Sequence, residues 1–213
     1  MKTIIIDHGS GNLRSAEKST IRAADGLDME VLVSASPEDV MTADRIILPG
    51  VGAFADCMNG LTALDGMREA LQEAVFTDAK PILGICVGMQ LMATVGLEHE
   101  QTEGLGWISG SVEEIDIKSE PCLKIPHMGW NNLHINKPEH PILHGINNGD
   151  HVYFVHGYHF KATDQENVLA HVNYGVKISA VVGRDNIVGT QFHPEKSQKI
   201  GLRIIKNFLQ WAP

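Results

Sequence analysis

Pro81-Ile82-Leu83-Gly84-Ile85-Cys86-Val87-Gly88-Met89-Gln90 decides the fold. Pro81 to Ile85 is apolar on both faces, the pattern of a strand buried in a parallel sheet. A helix is expected from about Gly88 to Thr94. Cys86 stands at the turn between them, with Gly84 and Gly88 two residues to either side. That is the spacing of a nucleophile elbow, with Cys in place of Ser. The sharp turn crowds the backbone, and glycine relieves the crowding because it has no Cβ. A helix start beneath the sulfur also favours thiolate over thiol. The plain alternative is a small buried cysteine at a strand end.

Upstream of this stretch, strands and helices alternate. Lys2 to Ile6 reads as a strand, Asn12 to Ala24 as a helix, and Glu30 to Val33 and Arg45 to Leu48 as two more strands. Met67, Ala70, Leu71, Ala74 and Val75 recur at helical spacing. Such alternation predicts right-handed βαβ units and a parallel sheet covered on both faces. From Trp107 onward the texture changes to short strand-like pieces: 112–117, 132–135, 151–155, 168–172 and 187–191. These predict antiparallel strands added to the same sheet or forming a smaller companion sheet. Leu202, Ile204, Ile205, Phe208 and Leu209 close the chain as a packed helix. The expected class is α/β: a mostly parallel central sheet flanked by helices, with antiparallel additions in the second half. No linker, repeat or low-complexity tract divides residues 1–213, so one domain is expected.

Composition narrows the function classes. Of the 213 residues, 43% are hydrophobic and 20% charged, as in ordinary globular proteins. The net charge of −9 disfavours nucleic acid and anionic membrane as partners. No apolar run approaches the ~20 residues of a membrane span. Cys57, Cys86 and Cys122 form no CxxC pair, and no signal-like segment precedes them. A reducing cytoplasm is therefore expected. His156 and His159, and His140 and His144, have suggestive spacing, but Gly157 and Pro141 argue against a helix in either place. Without HExxH or a Cys/His set, no metal is expected, and His156 is expected to pack beneath the site.

A thiolate nucleophile needs a base and an orienter. Val188-Gly189-Thr190-Gln191-Phe192-His193-Pro194-Glu195 offers both. Pro194 pushes His193 into an extended conformation, where residues i and i+2 face the same side. Glu195 can then fix the imidazole tautomer and stabilise its charge. Alone, this segment is also an ordinary edge turn with a solvated Glu. Attack on an amide develops an oxyanion, which needs donors. Arg45-Ile46-Ile47-Leu48-Pro49-Gly50-Val51-Gly52 ends a strand in a bare loop at the same sheet edge as Cys86. Backbone N–H groups of Val51 or Gly52, with that of Val87, are the candidate oxyanion hole.

Gly84-Ile85-Cys86-Val87-Gly88-Met89-Gln90, Pro49-Gly50-Val51-Gly52 and His193-Pro194-Glu195 resemble the class I (triad) glutamine amidotransferases. Asp7 to Leu13, His127-Met128-Gly129-Trp130-Asn131 and Tyr153 to Tyr158 narrow the resemblance to the glutaminase subunits of imidazole glycerol phosphate synthases. The resemblance runs from residue 4 to the last helix. It implies glutamine hydrolysis through a thioester on Cys86, with His193 as proton carrier and Glu195 as its orienter. It also implies substrate contacts at Gln90, Glu98 and the backbone of Gly157 and Tyr158. Relatives often carry Ser or Thr where Gly157 stands, a change that a backbone contact survives. Glu98 rests on its distance from Cys86 rather than on a distinctive motif.

The partner implied by the resemblance is a (β/α)8-barrel cyclase that consumes the ammonia to make imidazole glycerol phosphate on the histidine pathway. No phosphate-binding motif offers this chain a site for the larger substrate, and no cofactor is expected. Asn12, Trp130 and Lys196 are expected to face the partner, with Lys196 stacked on Trp130. The bare loop at residues 49–52 is expected to rest with a carbonyl turned into the site and to flip when the partner is loaded. Rival readings are the glutaminase subunit of another synthase, such as one making pyridoxal phosphate, a cysteine peptidase, and a silent binding module that keeps the fold.

Overall fold

The computed structural model describes residues 1–118, 120 and 122–213. The first half runs β1 (Lys2–Ile6), α1 (Leu13–Ala23), β2 (Glu30–Ser34), α2 (Pro37–Thr42), β3 (Arg45–Gly50), α3 (Phe54–Thr62), α4 (Met67–Gln72), β4 (Ile82–Cys86) and α5 (Val87–Gln90). Short strands follow: β5 (Val95–Gly96), β6 (Thr102–Glu103), β7 (Gly110–Glu114), β8 (His127–Asn132), β9 (His134–Ile135), β10 (His151–His156) and β11 (Tyr158–Ala162). The chain ends with β12 (Val168–Tyr174), β13 (Val176–Arg184), β14 (Ile187–Thr190) and α6 (Gln198–Gln210).

The main sheet has eight strands in the order β2-β1-β3-β4-β14-β13-β12-β9. Pairing is parallel from β2 through β14 and antiparallel from β14 to β9. The path from β1 to β2 runs one way along the sheet, and the path from β2 through β3 to β4 runs the other. Right-handed crossovers therefore put α1 on one face and α2, α3 and α4 on the opposite face. In agreement, α1 packs against α6, while α2 and α3 pack against α4. Order reversal beside β1 makes the carboxyl edge of the neighbouring strands the place where such sheets hold ligands.

Burial follows the layers. Every residue of β3 and β4 is buried, as two covered faces require, whereas the edge strand β2 is only partly covered. One contiguous apolar cluster includes Ile4 of the first strand and Trp211 beyond the last helix. Arg45 fastens that end by donating to the Trp211 carbonyl at 2.6 Å. A four-stranded sheet (β11-β7-β5-β6) and a two-stranded one (β10-β8) flank the main sheet. The second half thus both extends the main sheet and builds companions to it. No helix among the described residues is long and apolar enough to cross a membrane.

Three expectations need correction. The helix after Cys86 stops at Gln90 rather than Thr94. Amides of the loop at 105–108 take the carbonyls of Leu91, Ala93 and Met92 at 2.7, 2.9 and 3.0 Å, which ends the helical ladder. The helix beginning at Met67 widens after Gln72 into a π-turn over Glu73–Thr77. Strand bounds also move: 112–117 becomes Gly110–Glu114, and 132–135 divides between β8 and β9. Helices α2 and α3 and strands β11 and β13 are not apparent from periodicity.

Candidate active site

Cys86 terminates β4 with φ 55° and ψ −111°, a backbone conformation that a residue with a side chain rarely adopts. Packing enforces the turn. A Cβ on Gly88 would lie 1.9 Å from the Leu48 carbonyl oxygen, and one on Gly84 would lie 2.7 Å from the Gly88 oxygen. Only bare glycines let β3, β4 and α5 approach this closely. With only four residues, α5 has little macrodipole to offer. The positive charge facing the sulfur is therefore carried by His193.

His193 sits just after β14, the strand paired with β4. Its backbone is pinned twice: its amide donates to the Tyr153 carbonyl at 3.0 Å, and its carbonyl accepts from Ser197 Oγ at 2.7 Å. The ring nitrogen Nδ1 lies 2.8 Å from Glu195 Oε1, with both side chains 2% exposed. Burial alone would discharge the ring. Hydrogen bonding with Cys86 and Glu195, together with their charges, outweighs burial and raises His193 to about 9. At neutral pH the imidazole is charged, with Nδ1 engaged by Glu195 and Nε2 left as the proton donor.

The loop at residues 49–52 is held by His8, just after β1, and by Cys57 of α3. His8 Nε2 donates to the Pro49 carbonyl at 2.7 Å. The Cys57 thiol of α3 donates to the Val51 carbonyl at 3.3 Å. Burial pushes Cys57 up to about 11, which keeps it a protonated donor. The Val51 carbonyl is thus engaged by α3, and Gly52 follows it at φ +99°. Gly50 is paired with Cys86 in the sheet register, which places the loop beside that cysteine.

A cavity of about 210 Å³ opens at this edge. Its wall brings together Val51, Gly52, Cys86, Val87, Gln90, Glu98, Gly157 and Tyr158, and the buried His156, expected beneath the site, is itself part of that wall. With Cys86 they are the expected oxyanion and substrate residues, drawn from the loop after β3, the β4–α5 turn, the segment after β5, and the β10–β11 junction. Glu98 accepts from the Phe54 amide at the start of α3 at 2.8 Å, so its carboxylate is fixed against the cavity. Gln90 donates to the Tyr158 carbonyl at 2.9 Å and to Gln191 Oε1 at 3.0 Å.

Gln191 is a site residue that the sequence motifs do not single out. It is fully buried and bridges Gln90 to Cys86, with its Nε2 3.8 Å from the sulfur. The alternation that pairs His193 with Glu195 extends back to residue 191 and is the signal that could have found it.

The partner-facing candidates lie apart from the cavity. Trp130 is 47% exposed and rests edge-on against Tyr153 at 5.9 Å. Lys196 is exposed, and its Nζ lies 5.9 Å from the centre of the Tyr153 ring. The expected stacking of Lys196 on Trp130 is therefore replaced by a shared platform, Tyr153, which β10 places between them. Asn12 caps α1, its carbonyl accepting from the amides of Ser15 and Ala16.

Known proteins resemble this chain in sequence and in fold. Residues 4–211 match the model of the glutamine amidotransferase class-I family. The chain is 58% identical to the imidazole glycerol phosphate synthase subunit HisH of Cereibacter sphaeroides, covering all of both chains. It is 56% identical, again over both full chains, to the protein of the same name from Rhodospirillum rubrum. Among solved structures, a glutamine amidotransferase superposes with a TM-score of 0.72 at 18% identity, covering 97% of each chain. The glutaminase domain of Trypanosoma brucei CTPS gives 0.67 at 13% identity, over all of this chain and 95% of that one. These two likenesses carry the fold, while the family model and the full-length relatives carry the kinship: the chain belongs to the class I glutamine amidotransferase family, in the group of imidazole glycerol phosphate synthase HisH subunits.

Proposed function

We propose that the chain is the glutaminase subunit of an imidazole glycerol phosphate synthase, hydrolysing glutamine at Cys86 and delivering ammonia to a (β/α)8-barrel cyclase in histidine biosynthesis. The observation that carries this reading is the strained Cys86 turn opening, beside a charged His193–Glu195 pair, into a cavity of about 210 Å³. That volume lies below the ~300–1,000 Å³ of drug-sized ligand sites and suits a single amino acid.

Each residue has a task. The Cys86 sulfur attacks the side-chain carbonyl carbon of glutamine, and the oxygen takes up negative charge. Amides of Val51 or Gly52 and of Val87 supply donors for that oxygen. His193 gives its Nε2 proton to the departing nitrogen, so ammonia leaves neutral and a γ-glutamyl thioester remains on Cys86. Neutral His193 then takes a proton from water as the water attacks the thioester. Glutamate departs, and the sulfur is regenerated. Glu195 holds His193 in one tautomer throughout. Glu98 faces the substrate ammonium, and Gln90 with the Gly157–Tyr158 backbone lines the amino-acid end.

Ammonia held neutral must pass directly to its consumer, which calls for physical coupling to the cyclase. Trp130, Lys196 and Asn12 are the docking residues in this reading. The three free thiols suit a reducing cytoplasm.

The test is glutamate release from glutamine by the purified chain, alone and with the barrel cyclase carrying its ligand. Stimulation by the loaded partner is expected. Absence of glutamate release from an assembled, loaded complex would overturn the reading.

A further inference from the structure

We propose that the buried pair His127 and His156 is a positioning relay for the cavity: a one-way chain of hydrogen bonds, starting at Asn131, that fixes the Tyr158 carbonyl and with it the Gly157–Tyr158 wall. The substrate placement comes from the proposed glutaminase function, on which this inference rests.

The direction of every bond in the chain follows from its end. His156 Nδ1 lies 2.8 Å from the Tyr158 carbonyl oxygen. A carbonyl only accepts, so Nδ1 carries the proton. Burial holds His156 down to about 3, which leaves the ring neutral and Nε2 a bare acceptor. His127 Nδ1, 3.0 Å from that nitrogen, must therefore donate. Burial lowers His127 to about 4, so its own Nε2 is an acceptor and faces Asn131 Nδ2 at 3.3 Å. The Asn131 amide is fixed in turn: its Nδ2 also donates to the Asn173 carbonyl at 3.1 Å, and its Oδ1 accepts from the Asn132 amide at 2.8 Å. Reversing either ring would set a donor against a donor or a lone pair against a carbonyl.

The rings cannot turn to escape this arrangement. His127 is stacked between Phe154 and Tyr174, with centroid distances of 4.8 and 4.0 Å and interplanar angles of 22° and 26°. It also stands directly opposite His156 in the β8–β10 register. An apolar pair would fill this space without needing polar partners. The polar chain instead ends on a carbonyl in the cavity wall, which also accepts from Gln90. The neighbouring Gly157 carbonyl accepts from the Ile115 amide at 3.0 Å. With both oxygens engaged, this wall presents no unpaired carbonyl to a substrate carboxylate. At its other end the chain starts on β8, the strand that carries the half-exposed Trp130.

The test separates hydrogen bonding from packing. In a Cys86→Ala background, which cannot turn over glutamine, His127→Phe keeps the stacked ring and deletes the donor. His127→Asn loses the ring but places an N–H about where Nδ1 was. Calorimetric titration with L-glutamine should show His127→Phe weakening binding by about tenfold or more, and His127→Asn by no more than about threefold. His127→Phe binding as tightly as the Cys86→Ala parent, or both variants weakening alike, would overturn the relay alone. A Cys86→Ala parent that binds no glutamine would overturn the substrate reading and the relay together. Independently of any variant, a long-range ¹⁵N–¹H spectrum of the full chain should show His127 and His156 both protonated at Nδ1. Either ring protonated at Nε2 instead would overturn the proposal.

Discussion

His193 Nδ1 and Glu195 Oε1 meet at 2.8 Å with both side chains 2% exposed, two residues apart on one extended segment. The contact places a carboxylate behind the ring while the sulfur of Cys86 stands before it, and the two together raise His193 to about 9 against the pull of burial. Removing either partner should lower that value. Cys86→Ala should move the His193 titration, followed by the ring C–H resonance, to lower pH. An unmoved titration would show that Cys86 does not contribute to holding the charge.

The same shift links folding to pH. A histidine whose folded value lies above its unfolded value of about 6.5 binds its proton more tightly when folded. The stability it contributes is full below about 6.5 and is lost as pH rises through about 9. The melting temperature should therefore decline between pH 6.5 and 9, and decline less in Cys86→Ala. Equal declines in the two proteins, measured by thermal scans in matched buffers, would contradict this assignment.

Gly88→Ala tests the turn itself. The new methyl would sit 1.9 Å from the Leu48 oxygen and 2.8 Å from its carbonyl carbon, both backbone atoms. Neither can swing aside as a side chain would. Overpacking of this kind costs about 1–3 kcal/mol, and each kcal/mol lowers the melting temperature of a chain this size by about 2–4 °C. Glutaminase activity should fall with it. A variant as stable and active as the parent would mean that β3 and α5 are not locked together at this point.

Much of this architecture is legible in the sequence because local pattern and tertiary demand coincide. Gly84 and Gly88 flank Cys86 for a steric reason that spacing alone exposes, and the apolar runs of β1, β3 and β4 match strands buried on both faces. The less legible features depend on contacts distant in sequence. Gly60 weakens the helical pattern of α3, yet glycine is required there because a Cβ would meet the His8 oxygen at 2.3 Å. Ser36-Pro37-Glu38-Asp39 does carry a local helix-start signal for α2, though the helix is too short for periodicity to reveal. The end of α5 at Gln90 is set by amides some fifteen residues further on, and no local rule reports them. The His127–His156 bond is likewise a cross-strand contact that only the β8–β10 register creates.

Glu98→Gln separates binding from folding. The amide oxygen can still accept the Phe54 N–H, so the start of α3 keeps its partner. What disappears is the negative charge on the cavity wall. Loss of a charge-assisted contact to the substrate ammonium costs about 1.5–3 kcal/mol, so KM for glutamine should rise by about ten- to a hundredfold at nearly constant kcat. Urea unfolding should be little changed. An unaltered KM would remove Glu98 from the substrate contacts.

Trp130 offers the sharpest test of docking, because its exposure and its packing point in different directions. With 47% of its surface outward, the Trp130 ring leaves a face free for a partner to cover. Its edge rests on Tyr153, whose ring also lies beneath Lys196 Nζ, and whose backbone carbonyl holds the His193 amide. Trp130 is thus linked to the His193 backbone through one intervening residue, Tyr153. Buried aromatic anchors at interfaces typically cost about 2 kcal/mol or more when truncated, equivalent to about thirtyfold in Kd. Trp130→Ala should weaken the complex with the barrel cyclase by about that factor while leaving the unfolding midpoint of the free chain close to that of the parent. Titration of the labelled cyclase with parent and variant chains decides the matter. Unchanged affinity would move the docking surface away from β8.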